Sequence, residues 1–164
     1  MNGVLTSADD VILSPETYVT IRNLSGGSFS VVLPGNVPVD IFGTNVVSDV
    51  AAQDNQLVNP YPSPLTLAGS GLTDVVDVSS NVFAPEDLVF LLDYEAQGVN
   101  KSPSNSYFYH DGTSGFLGAG WYQNGTLTPA DTVQIPAGGG FVVRKAASSI
   151  SQADWSPAIP YSLN

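Results

Sequence analysis

The sequence predicts an all-β fold: an antiparallel β-sandwich of about ten short strands with little or no helix. Three observations carry that expectation. Runs rich in Val, Ile, Tyr and Phe recur, each only a few residues long. They are punctuated by 16 Gly and 12 Pro, which suit turns and oppose long helices. No window of roughly 12 residues holds the 3.6-residue apolar period of an amphipathic helix. A closed β-barrel satisfies the same pattern and stands as the alternative.

The elements follow in order. Residues 11–13 and 18–22 read as the first strands; in the second, Tyr18, Thr20 and Arg22 share one face while Val19 and Ile21 share the other. Gly26-Gly27 then turns the chain into residues 29–33 as a hairpin, and 37–42 continue in the same style. Residues 43–55 read as a looser stretch leading to Leu57-Val58. Three prolines within residues 60–64 exclude a central strand there, so the segment is an edge or a rigid extended crossing. Further strands are expected at 75–78, 88–93, 107–110, 120–123, 132–135 and 141–145. Turn-rich segments at 69–71, 97–105, 111–118, 124–125 and 138–140 separate them, and a single helical turn fits residues 67–72.

A length of 164 residues suits one domain with a real core. One internal similarity qualifies this. A shift of 122 residues lays Val11, Leu13, Val19, Ile21 and Arg22 over Val133, Ile135, Phe141, Val143 and Arg144. Two ordinary hairpins produce such an echo. So does a chain whose residues 1–50 close a preceding repeat, or form a first hairpin unit, ahead of a main β module at 51–164.

Composition narrows the function classes. Hydrophobic residues make up 43% of the chain and charged residues only 12%, so the surface is dressed with uncharged polar groups. The net charge is −11, and the basic residues are Arg22, Lys101, Arg144 and Lys145 alone. Nucleic acid is therefore not an expected partner, because its affinity for proteins comes largely from Lys and Arg neutralising phosphates. Anionic membrane surfaces are disfavoured on the same ground. Cysteine is absent, which removes disulfides, thiol catalysis and Cys-based metal sites. The apolar run Leu88–Leu92 is too short to span a bilayer, so no membrane insertion is expected. The first residues lack a charged segment followed by an apolar one, so an exported parent would contribute this chain as a mature piece.

The segment Leu57-Val58-Asn59-Pro60-Tyr61-Pro62-Ser63-Pro64 resembles the NPYPSP box of a family of exported β-rich bacterial surface proteins. Three further features occur in that family's order: the apolar strand ending in Asp93, the run Tyr107-Phe108-Tyr109 followed by Trp121, and the box Ile135-Pro136-Ala137-Gly138-Gly139-Gly140-Phe141-Val142-Val143-Arg144-Lys145. The resemblance covers roughly residues 53–161. It implies an exported, many-stranded protein, of which this chain would be a C-terminal portion. It supplies no catalytic residues to carry over.

Candidate chemistry is sparse. His110, next to Asp111, is the sole histidine, and no Gly-x-Ser-x-Gly elbow supplies a nucleophile for a Ser–His–Asp arrangement. It reads as an exposed or locally hydrogen-bonded residue at a strand end, and no catalytic residue is assigned. Glu86, Asp87, Asp93 and Glu95 lie close enough in sequence to keep a two-carboxylate glycoside hydrolase as a minor alternative. Calcium takes oxygen ligands, and Asp54, Asp74 and Asp77 are candidates for a structural calcium site, the one cofactor considered. Asp93 with Glu95 is a further acidic pair. For ligand binding, Tyr107, Tyr109, Trp121 and Tyr122 form a stacking platform for sugar rings if they are exposed together; otherwise they belong to the core. Gly138-Gly139-Gly140 lacks the following helix and the Lys-Ser/Thr of a phosphate loop and reads as a tight turn. The leading expectation is a non-catalytic extracellular or cell-surface module, structural or adhesive, acting through self-association. A carbohydrate-binding module with a surface glycan as partner is the alternative.

Overall fold

The strand Gly140–Lys145 organises the molecule. Phe141, Val143 and Lys145 are buried on one side, while Arg144, between the last two, points to solvent. This two-residue alternation is what a strand imposes on its side chains. In this computed structural model, residues 41–96, 102–148 and 151–161, together with Gly27, are described.

Nine strands are present among the described residues: β1 (Thr44–Ser48), β2 (Gln53–Val58), β3 (Leu65–Thr66), β4 (Leu88–Leu92), β5 (Pro103–Asp111), β6 (Ala119–Gln123), β7 (Gln134–Ile135), β8 (Gly140–Lys145) and β9 (Ser151–Trp155). One 3-10 turn, Leu72–Asp74, is the helical content of those residues. Five strands form an antiparallel sheet in the order β2-β8-β4-β5-β6, and two antiparallel pairs, β1-β9 and β3-β7, accompany it. Over the described residues the fold is all-β with separate sheets, none closed into a barrel, consistent with a sandwich.

The inner face of the large sheet carries Leu57, Phe141, Val143, Val89, Leu91, Tyr107 and Trp121. Val46 of β1, Trp155 of β9, Leu65, Ile135 and the segment from Leu67 to Val76 join the same cluster. Fully burying one such side chain contributes about 1.5–3 kcal/mol, so this layer dominates the stability. Trp155 meets Phe141 edge-on at 5.4 Å, and its indole N–H donates to the Ser70 carbonyl at 2.8 Å. On the opposite face, Phe108 and Tyr122 pack with Val82, Leu88, Leu117 and Leu127.

Several sequence expectations shift. Residues 75–78 are not a strand: the N–H groups of Val75 and Val76 both bond the Leu72 carbonyl, at 3.1 and 3.0 Å. The turn starts from Gly71, whose φ of 70° is left-handed and strained for any other residue. The helical turn expected at 67–72 is therefore displaced toward 72–74. The stretch 43–55 holds β1 and the start of β2, and β5 begins at Pro103, inside a segment read as a turn. β9 has no counterpart among the expected strands. The proline segment is a crossing between β2 and β3, pinned by buried Asn59. Its side-chain amide donates to the carbonyls of Ser63, Ile135 and Pro136 at 2.9, 3.3 and 3.0 Å, and its oxygen accepts from Tyr61 N–H at 3.0 Å. The expected strands at 11–13, 18–22 and 29–33, most of 37–42, and the first copy of the 122-residue echo lie outside the described residues.

Candidate functional site

The most unusual chemistry among the described residues is a charged cluster under the rim of the large sheet. Register pairs Leu88 of β4 with Arg144 of β8, so Asp87, just before β4, comes opposite Lys145. The inward parity of Phe141 and Val143 carries Lys145 inside as well, and it is only 7% exposed; Asp87 is 2% exposed. The Lys145 ammonium contacts Asp87 Oδ2 directly. It also donates to Asp77 Oδ2 at 3.1 Å and to the Val75 carbonyl at 3.0 Å.

The Asp87 carboxylate is saturated. Its Oδ2 accepts from Asp77 N–H at 2.6 Å, and its Oδ1 accepts from Ala146 N–H at 2.8 Å. A buried charge is tolerable only when paired and hydrogen-bonded in this way. A polar cleft of about 360 Å³ opens beside Lys145, lined in part by Ser48, Asp74, Asp77, Ser148 and Ser151. Its floor is tied across β1 and β9 by a 2.7 Å hydrogen bond between the hydroxyls of Ser48 and Ser151.

Asp54 sits on the other face. It holds Arg144 through two hydrogen bonds of 2.6 and 2.8 Å, and the guanidinium lies 4.9 Å from the centre of the Phe90 ring. The bond from Arg144 draws the Asp54 carboxyl below its ordinary value, and the same bond raises Arg144. Asp54 and Asp77 thus serve oppositely directed neighbours, Arg144 and Lys145. Of the three acids proposed for calcium, Asp74 and Asp77 border the same cleft while Asp54 lies on the other face, and among the described residues no three His, Cys, Asp or Glu side chains are grouped to hold a metal. Asp93 closes a local turn instead, accepting from the N–H groups of Glu95 and Ala96 at 3.1 and 3.0 Å.

The aromatic candidates are consumed by packing. Tyr107, Trp121 and Tyr122 are buried and Tyr109 is half-buried against Trp121, edge-on at 5.6 Å. A sugar-stacking platform needs open ring faces, and three of the four have none. The alternation that put Tyr107 and Tyr109 opposite Phe108 is correct; that both faces of the sheet are covered there is the new information. Burial also pushes the Tyr107 hydroxyl above its ordinary value.

His110 is fully buried rather than exposed. Its Nδ1 accepts from Gly112 N–H at 2.7 Å, and its buried Nε2 has no hydrogen-bond partner among the described residues. Gly112 has φ 85°, and a Cβ there would come within 2.9 Å of Ala119 N, so the turn that makes this bond requires glycine. Asp111 does not orient the imidazole. Its Oδ1 is taken by the Thr113 hydroxyl and N–H at 2.6 and 2.7 Å, which lowers its pKa, and it stays 3.9 Å from Nδ1. The pair is a turn anchor, not a relay.

The Lys145–Asp87 pair is the element that reading the sequence missed. Two-residue alternation along β8 was enough to place Lys145 inside; nothing local announced that Asp87 would meet it. No family model matches the chain, and neither a curated protein nor a solved structure shows significant similarity to it.

Proposed function

We propose that this chain is a non-catalytic structural or adhesive β module of the cell exterior, acting by association of like copies. The observation that carries the reading is a pair of exposed phenylalanines in the uncharged stretches of two loops. Phe83 is 85% exposed and Phe116 is 62% exposed. Their neighbours Val82 and Leu117 pack in one small cluster with Phe108 and Tyr122, so both loops cover the same side of the large sheet. Residues 78–85 and 112–120 contain no charged side chain, in a chain of net charge −11.

Those facts favour a second copy as the partner. Two strongly acidic molecules repel, and contact costs least where neither presents charge. Exposed aromatic rings are the side chains that most often anchor such contacts. Among the described residues, the edges of the large sheet are already engaged. The side chain of Asn55 on β2 bonds both the N–H and the carbonyl of Val47, at 2.8 and 2.9 Å. On β6, Gln123 N–H bonds the Thr128 carbonyl and the Trp121 carbonyl accepts from Ala130 N–H. Loop-to-loop contact is therefore a better route than pairing along these edges. The resemblance to exported surface proteins agrees with this reading.

The test is sedimentation velocity across a concentration series, comparing wild type with Phe83→Ser and Phe116→Ser. Each substitution should weaken association roughly 30-fold, the equivalent of about 2 kcal/mol of lost apolar burial. A wild type that stays monomeric at millimolar concentration refutes the proposal.

A further inference from the structure

We propose that Lys145 and Asp87 are joined by an intramolecular isopeptide bond that forms autocatalytically in the folded chain. Four observations converge on this pair. The amine and the carboxylate are in direct contact, both are almost wholly buried, and they face each other across adjacent strands β8 and β4. A second carboxylate, Asp77 Oδ2, lies 3.1 Å from the same amine. The Asp87 oxygens are differentiated: Oδ1 receives Ala146 N–H at 2.8 Å, whereas Oδ2 faces the amine and Asp77 N–H. Finally, in a chain with only four Lys and Arg residues, one is spent inside the fold beside the core.

The chemistry balances without a co-reactant. One proton passes from the Lys145 ammonium to Asp87 Oδ2, giving a neutral amine against a carboxylic acid. The lone pair of Nζ attacks Asp87 Cγ and the N–C bond forms. Negative charge gathers on Oδ1, where Ala146 N–H stabilises it as an oxyanion-hole donor does. Asp77 Oδ2 takes a second proton from Nζ and delivers it to Oδ2, which leaves as water when the C–O bond breaks. The products are a secondary amide and one water, with no change of oxidation state. Holding the reacting atoms together supplies the advantage that an intramolecular reaction has over the same groups in solution. Asp77 is the proton carrier; its exposed side chain borders the cleft, so the released water has an exit.

The test is the intact mass of the full-length protein, followed by peptide mapping. The expected mass is that of the sequence less one water, with a branched peptide linking the segment of Asp87 to that of Lys145. Lys145→Arg, which preserves the charge, should show the full sequence mass, and Asp77→Ala should retain the water or lose it far more slowly. A wild-type mass equal to that of the unmodified chain overturns the proposal. A one-water loss that maps to the Asp111-Gly112 step, and reverses in mild base as a cyclic imide does, overturns it equally.

Discussion

Arg144 and Lys145 are adjacent on β8, each paired with an Asp, and the two pairs have opposite physical characters. Arg144–Asp54 lies on the outer face, with both side chains about half exposed at 48% and 47%. Its geometry is good, with two parallel hydrogen bonds and an aromatic ring beneath the guanidinium. Water and salt nevertheless compete with it at every moment, and exposed pairs contribute little. Lys145–Asp87 is almost wholly buried, so water competes far less for the contact between the two. One residue step along a strand separates a pair that trims a surface from a pair on which the interior depends. Pairing alone does not set the energetic weight of a charge; the alternative open to it when the partner is removed does.

The sharpest way to break the contrast is Asp87→Ala. It leaves the Lys145 ammonium with only the exposed Asp77 carboxylate as counter-charge and strands the N–H groups of Asp77 and Ala146. Denaturant unfolding should show a loss of at least about 3 kcal/mol, the scale for breaking one side of a buried pair. A loss below about 1 kcal/mol would mean that the site is wetter than its burial implies. Loss of a neutral buried partner comes next. Tyr61→Phe removes the hydroxyl that donates to the Pro157 carbonyl at 2.7 Å and should cost about 1 kcal/mol. The same hydroxyl gives a pH signature. Burial raises it above its ordinary 10.0, so its contribution is full below that value and fades as pH rises through the higher folded value. Wild type should therefore lose stability in strong alkali more steeply than Tyr61→Phe.

The smallest effect belongs to the outer pair. Asp54→Asn should cost about 0.5 kcal/mol at low salt and less at high salt. Because the carboxyl is lowered by the Arg144 hydrogen bond, its contribution is present above the ordinary 3.8 and is lost as pH falls through the lower folded value. Wild type and variant should converge in acid. If Asp54→Asn rivals Asp87→Ala at neutral pH, the distinction between the two faces fails.

How much of this was legible in the sequence depends on side-chain type. β4, β6 and β8 announce themselves through Leu-Val-Phe-Leu-Leu, Trp121-Tyr122 and Phe141-Val142-Val143, whose bulk suits a pleated surface. β9 reads Ser-Gln-Ala-Asp-Trp, with nothing but Trp155 to indicate burial, and is a strand because β1 pairs with it along its length. Val75 and Val76 have the right residue type and the wrong conformation. Both are buried, against the alternation of a strand half-buried on one face, because the turn begun at Gly71 overrides their propensity. At the site, the parity of Lys145 was readable and its partner was not, since Asp87 stands 58 residues away in sequence and reaches it through the pairing of β4 with β8. The aromatics left a stacking platform and a place in the core both open for a related reason. Alternation assigns faces, but only the loops that carry Val82, Leu117 and Leu127 decide that the face bearing Phe108 and Tyr122 is roofed.

The pairing of β1 with β9 has a mechanical consequence. The register runs from Thr44 opposite Trp155 to Ser48 opposite Ser151, so the chain enters β1 and leaves β9 at the same end of the ladder. Tension applied through the flanking segments would peel this ribbon open one rung at a time instead of shearing all its rungs together. The first rung contains Trp155, locked against Phe141 and tethered to the Ser70 carbonyl. The indole thus anchors the first rung, and the Tyr61 hydroxyl, bonded to the Pro157 carbonyl, holds the segment just beyond it, so a pulling force must release both before it travels into the sheets.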